Sequence, residues 1–263
     1  MARAPNSKQK PIVAYRFQRY HHALQTGHYL VKQARRQDPV RVFFDQSCMD
    51  SACGLHVLSS VLVIFDLAKS VALVDMAKRK YGVPAIVFEA FERTYFNGVS
   101  AKEFVSLTDS LRLPMNLTLV ESATQGCDRW VVDSLMSGEL VAIVTASAKN
   151  TSRDQHWTLA VGVEGLCVGR EHRPDTILLL DPSANAEPSF RPHNARIRVA
   201  MTGPGSAGGK AVERLYQTKG SHAKSQRIVW HYESEGFGSE PVVLMAAVRF
   251  RLSASQTRST KER

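Results

Sequence analysis

Four cysteines in 263 residues are too few for a disulfide framework to hold a chain of this length together. Long hydrophobic runs are missing as well. The longest uncharged apolar stretch, Ser51 to Phe65, is interrupted by His56, Ser59 and Ser60 and falls short of the roughly 20 apolar residues that cross a bilayer. Near Met1 there is no basic start followed by an apolar segment and a small-residue cleavage site, so a secretory signal is not expected. Together these absences predict a soluble chain without a membrane span, in a reducing compartment. The cytoplasm is the default, and export as an effector is the alternative. One further absence is local: residues 1–37 contain eight Lys and Arg and no Asp or Glu.

Hydrophobic residues make up 44% of the chain, enough for a substantial core, which excludes whole-chain disorder. The formal net charge of +10 comes entirely from residues 1–37 and 258–263, and the stretch between them is neutral. Basicity therefore belongs to the ends. The N-terminal arm reads as a solvated, partly helical extension, as an electrostatic contact for nucleic acid or an acidic partner, or as an Arg-rich targeting segment. The remainder of the chain holds no recognisable nucleic-acid motif.

Residues 1–11 and 253–263 are expected to be flexible basic tails around a single domain, 12–252. Val13, Phe17, Tyr20 and Leu24 recur at spacings of three and four and predict a helical face. A short apolar run covers Val40 to Phe44, and a buried helix is predicted from near Cys53, with further helices over 67–80, 84–96, 100–111 and 127–137, the last closed by Gly138. Beyond Gly138 the texture becomes β-branched and alternating. Strands are predicted over 140–145, 157–163, 177–180, 197–201, 227–232 and 241–252. Helices followed by strands give an α+β expectation, a helical N-terminal lobe packed on a C-terminal antiparallel β-sheet.

The segment Phe44-Asp45-Gln46-Ser47-Cys48-Met49-Asp50-Ser51-Ala52-Cys53-Gly54-Leu55-His56 puts a polar loop directly before an apolar helix, with a cysteine at the join. A helix N-terminus favours the thiolate over the thiol, which makes this position suited to a nucleophile. Its free N–H groups, with an amide side chain upstream, can donate to an oxyanion, and Gln46 supplies such an amide seven positions before Cys53. A thiolate needs a base and an orienter. His156 opens the alternating segment His156-Trp157-Thr158-Leu159-Ala160-Val161-Gly162-Val163, and Asp181 ends the apolar strand Ile177-Leu178-Leu179-Leu180 before Pro182.

On Gln46…Cys53-Gly54, His156-Trp157 and Leu180-Asp181-Pro182, in that order, the sequence resembles the papain-like cysteine peptidase clan. The resemblance is strongest to its bacterial branch of bacteriocin-leader-processing (double-glycine) peptidases. It covers residues 40–185. It implies a papain-like fold with Cys53 as nucleophile, His156 as general base and acid, Asp181 as orienter and Gln46 as oxyanion donor. No metal or organic cofactor is required, and the partner is a peptide or protein substrate. The interval of seven from glutamine to cysteine departs from the six usual in the clan, so either the loop bulges or Gln46 is not the donor. SUMO-protease-like enzymes run His, Asp, Gln, Cys. Transglutaminase-like enzymes share the order found here but use a shorter Cys-to-His interval, and pathogen effector proteases remain an open subfamily.

Other readings of these residues compete. Cys53 alone fits a small buried hydrophobe, Cys48 is a rival nucleophile, and Cys127 and Cys167 are expected to be structural. Cys48, Cys53 and His56 are metal-ligand types, but no second ligand pair accompanies them, and His56 fits a satisfied core histidine better. The loop 202–211 fails the phosphate-loop pattern at Pro204 and Ala211. Asp50, Asp154, Gln155 and Trp157 are candidates to shape a cleft. The expected function is a cysteine-dependent hydrolase of peptide or isopeptide bonds, with acyl transfer to an amine as a variant. The alternatives are a non-catalytic peptide or partner binder on the same fold and a basic-arm binder of nucleic acid or acidic partners.

Overall fold

The computed structural model describes residues 14–32, 38–47, 50–122, 126–152, 155–184, 186–199, 227–234 and 237–253. Residues 1–11 of the expected N-terminal tail, all of the C-terminal tail but Ser253, Cys48, Asp154 and the loop 202–211 lie outside these.

Six strands form the framework: β6 (Leu140–Ser147), β7 (His156–Val168), β8 (Glu171–Leu180), β9 (Ala195–Val199), β10 (Trp230–Ser234) and β11 (Phe237–Leu252). Each pairs antiparallel with the next in sequence, and β11 returns to pair with β6. The sheet therefore closes on itself as a six-stranded up-and-down barrel. Two strands extend it, β1 (Ala14–Tyr20) alongside β7 and β5 (Met115–Glu121) alongside β11. A small separate sheet joins β2 (Leu24–Gln25), β3 (Val31–Lys32) and β4 (Val40–Arg41).

Alternation along the strands divides the apolar side chains into two cores. On β6, Val141 and Ile143 belong to one core, and Leu140, Ala142 and Val144 to the other. The first takes residues from all six barrel strands, which makes it the barrel interior. Val131, Val132 and Leu135 of α5 (Cys127–Met136) pack into it. The second lies outside the barrel wall, where α1 (Cys53–Ile64), α3 (Val83–Phe91) and α4 (Ala101–Ser110) cover β6, β7 and β11.

Trp230 is fully buried in the barrel interior, and its indole N–H donates to Asp128 Oδ1 at 2.7 Å. Trp230→Ala is expected to lower the unfolding free energy by about 3–5 kcal/mol, because it empties the largest site in the barrel and takes a donor from a partly desolvated carboxylate. Denaturant titration measures this, and a loss below about 1 kcal/mol would contradict the role given to Trp230.

The barrel overturns the expected fold. A papain-like helical lobe on an open antiparallel sheet is not what forms: the sheet is closed, the helices are short, and α1, α3 and α4 lie against its outer wall while α5 packs into the barrel-interior core. The predicted strands exist, but the β11–β6 pairing that shuts the ring joins positions that no local pattern links. Bulges between Ala160 and Gly162 on β7 and between Leu244 and Ala246 on β11 supply the curvature. The helix expected over Val13 to Leu24 is also wrong. Residues 14–20 form β1 because the long β7 edge offers seven consecutive partners, Ala14↔Val168 through Tyr20↔Gly162, and tertiary pairing outweighs local periodicity. A Cβ on Gly162 would lie 2.3 Å from the Arg19 carbonyl oxygen, so only glycine lets the two strands meet there. The helix expected over 67–80 shrinks to α2 (Ser70–Val74) and a 3-10 turn, and β5 was not anticipated.

Candidate active site

Helix α1 begins at Cys53, as the sequence predicts, and every residue in it except His56 is buried. A helix apolar on all sides belongs in a core. Its serines satisfy their hydroxyls one turn back, Ser59 Oγ on the Leu55 carbonyl at 2.9 Å and Ser60 Oγ on the His56 carbonyl at 3.2 Å. Among the described residues no side chain caps its N-terminus, which leaves the first N–H groups unpaired beside Cys53. Gly54 lets this end dock closely: a Cβ there would stand 2.7 Å from Val99 Cγ1. The Val99 carbonyl accepts the Trp157 indole N–H at 2.9 Å, and Trp157 stacks on Phe104 at 4.6 Å between centroids. Helix α1 and the strand carrying His156 are thus locked through one contact chain.

The β7–β8 register brings the acid–base pair together. Leu159 lies opposite Leu180, so His156, at the start of β7, reaches the end of β8. His156 Nε2 and Asp181 Oδ1 are 2.7 Å apart, and the Ser183 hydroxyl is 3.1 Å from the same nitrogen. Cys53 interacts with the same ring and favours its protonated form, and the Cys53 thiol lies 3.9 Å from the Ser51 carbonyl oxygen. Burial by itself would lower the His156 pKa. The hydrogen bonds from Asp181 and Cys53, with their charges, outweigh it and push the value up to about 10. Burial likewise opposes ionisation of Asp181, whose carboxyl is nevertheless held below the ordinary carboxylate value by His156, Tyr232 and Ser183. The Asp181 side chain is 1% exposed and that of His156 26% exposed, so the carboxylate is sealed while the ring reaches the cleft.

A cavity of about 480 Å³ opens at this point, within the range of small-ligand and peptide side-chain sites. Cys53, His156 and Gln46 all line it, as do Asp50, Gln155 and Trp157. Gln46 Nε2 donates to the Asp50 carbonyl at 2.8 Å, and the Gln46 backbone N–H donates to the Pro182 carbonyl at 2.8 Å, which ties its loop to the corner after Asp181. Gln46 Oε1 is buried with no hydrogen-bond partner among the described residues. The Asp50 carboxylate accepts the Ser47 N–H at 3.1 Å and the Ala52 N–H at 3.0 Å.

Three of the four sequence-predicted site residues, Gln46, Cys53 and His156, therefore line one cavity, and Asp181 lies buried behind His156. His56 lies behind the loop, and its Nε2 is buried without a partner among the described residues, which corrects the expectation of a satisfied core histidine. Burial lowers its pKa against the opposing charges of Asp50 and Asp45. Cys127 and Cys167 are buried, and burial pushes the Cys127 thiol up to about 12. Among the described residues no group of three or more His, Cys, Asp or Glu is placed to hold a metal, and no helix is long and apolar enough to cross a membrane.

Sequence reading missed three supporting residues. Ser183 donates to Asp181 Oδ1 through both N–H and hydroxyl at 2.8 Å. Asn194 accepts the Asp181 N–H at 2.7 Å and donates to the Asp181 carbonyl at 2.9 Å. Tyr232 donates to Asp181 Oδ2. Ser183 was within reach of a local reading, being two residues past Asp181. Asn194, just before β9, and Tyr232, on β10, arrive from distant segments and carried no sequence signal. Neither a protein-family model nor a curated protein matches the chain.

Proposed function

We propose that the protein is a cysteine-dependent hydrolase of peptide or isopeptide bonds, acting through Cys53, His156 and Asp181 with Gln46 as oxyanion donor. The observation that carries this reading is the His156 imidazole, bonded to a buried carboxylate and opening with Cys53, at the uncapped start of α1, on one cavity. The reading stands on this chemistry and takes nothing from the fold.

In the proposed reaction the raised His156 pKa keeps on the ring the proton drawn from Cys53, and the thiolate attacks the substrate carbonyl carbon. Negative charge moves to the carbonyl oxygen, where Gln46 Nε2 and the N–H groups at the start of α1 receive it. The Gln46 amide has two hydrogens, so its bond to Asp50 leaves one for this task. His156 protonates the leaving amine as the C–N bond breaks, giving a thioester. Water, deprotonated by His156, then displaces the thiol and releases the acid. Asp181 keeps the ring in one tautomer and orientation throughout.

Iodoacetamide distinguishes a reactive centre from a buried thiol. Cys53 is expected to be alkylated at least about tenfold faster than Cys127 or Cys167 in the folded chain, since an activated thiol in a cleft outpaces buried inert ones, while all four cysteines label equally after denaturation. Equal rates in the folded state would reject the hydrolase and leave a binding role for the cleft.

A further inference from the structure

We infer that Tyr232 is a positioning residue of the triad, through which the barrel interior fixes the Asp181 carboxylate and thereby the His156 ring. This deepens the reading given above and rests on it for the word triad.

The two carboxylate oxygens of Asp181 have different partners. Oδ1 serves His156 Nε2 and both donors of Ser183. Among the described residues Oδ2 has one donor, the Tyr232 hydroxyl. Asp181 is 1% exposed, so water cannot replace a missing partner there, and an unsatisfied oxygen on a buried carboxylate is costly. The donors on Oδ1 hold one end of the carboxylate, and the Tyr232 bond to Oδ2 holds the other, so both oxygens are tied against turning about the Cβ–Cγ bond. The strand backbone beneath is already held, since Asn194 clamps both the N–H and the carbonyl of Asp181.

Tyr232 is itself anchored. Its ring belongs to the barrel-interior core, and on β10 it pairs with Ile197 on one side and Glu240 on the other. Burial, and then the charge and hydrogen bond of Asp181, raise its own pKa well above the ordinary tyrosine value, so the hydroxyl stays protonated and acts as donor throughout the working range of a thiol site. Phenylalanine would fill the same space with no donor.

Tyr232→Phe tests this directly, because it deletes one oxygen and keeps the core packing. The readout is the carboxyl ¹³C titration of Asp181, which a purely structural role would leave in place. Loss of a charge-assisted hydrogen bond is expected to move that titration upward by about one to two pH units, and the Cys53 alkylation rate with iodoacetamide at neutral pH is expected to fall several-fold. A folded variant with an unchanged Asp181 titration overturns the inference. If Tyr232→Phe does not fold, the unsubstituted chain still decides the question: its Tyr232 hydroxyl proton should appear as a slowly exchanging downfield resonance that disappears in Asp181→Ala, and its absence overturns the inference. Unselective alkylation of the unsubstituted chain would instead defeat the hydrolase reading alone, with the Asp181 titration still reporting on Tyr232.

Discussion

Cys53→Ala is expected to abolish turnover while the fold persists. The substitution removes one sulfur atom from a residue that is 7% exposed, and shortening a buried side chain by one small group costs on the order of 1 kcal/mol. The oxyanion donors and the His156–Asp181 pair remain, but no covalent acyl-enzyme can form, and positioning alone leaves a residual rate far below the enzymatic one. The same variant has a titration signature. The His156 pKa is raised to about 10 in part by the hydrogen bond and charge of Cys53, so in Cys53→Ala the ring should titrate at lower pH, as ¹⁵N NMR of the imidazole would show. The sign for stability follows. A histidine raised from 6.5 to about 10 on folding stabilises the folded state fully below about pH 6.5 and loses that contribution as pH rises through about 10. In the variant the loss should be complete at lower pH. Residual turnover at the unsubstituted rate, or an unmoved His156 titration, would remove Cys53 from the centre.

His156→Ala is expected to lower kcat by about a hundredfold to ten-thousandfold, the usual contribution of a positioned general acid–base. Two steps lose their proton carrier: activation of the thiol and protonation of the leaving amine. Removing the ring also opens a space beside Asp181, where the carboxylate keeps its bonds from Tyr232 and Ser183. Free imidazole added to the assay should enter that space and restore part of the rate. Steady-state kinetics with and without imidazole measure both effects. A variant slowed less than about tenfold would mean that another group carries the proton, since a positioned acid–base contributes at least about a hundredfold.

The parts of this site that were legible in the sequence are those whose chemistry is local. Cys53 stands at a change from polar loop to apolar helix, His156 opens an alternating strand and Asp181 closes an apolar one, and each position can be read from its neighbours. Asn194 and Tyr232 could not be read in this way. A tyrosine on β10 looks like core packing until the ring closes and carries its hydroxyl to the end of β8. The fold shows the same division. The strands after Gly138 follow from β-branched alternation, but whether they lie open or shut depends on the register between β6 and β11, on bulges and on the close approach at Gly162, which emerge only when distant segments meet. The segment 14–20 shows how a three-and-four spacing misleads when a long neighbouring edge is available for pairing.

The three groups of the proposed triad sit on two elements, helix α1 and the β7–β8 hairpin. His156 and Asp181 are 25 residues apart on a single hairpin and share its rigidity, whereas Cys53 rides at the tip of a helix that lies on the outer wall of the barrel. The distance from nucleophile to base is therefore set by the seam between helix and barrel, at Gly54, Val99 and Trp157, and an ångström of sliding there can change a rate by a hundredfold. That seam works as a throttle: substitutions far from the thiol that reseat α1 would grade the catalytic rate up or down and leave the acid–base pair untouched.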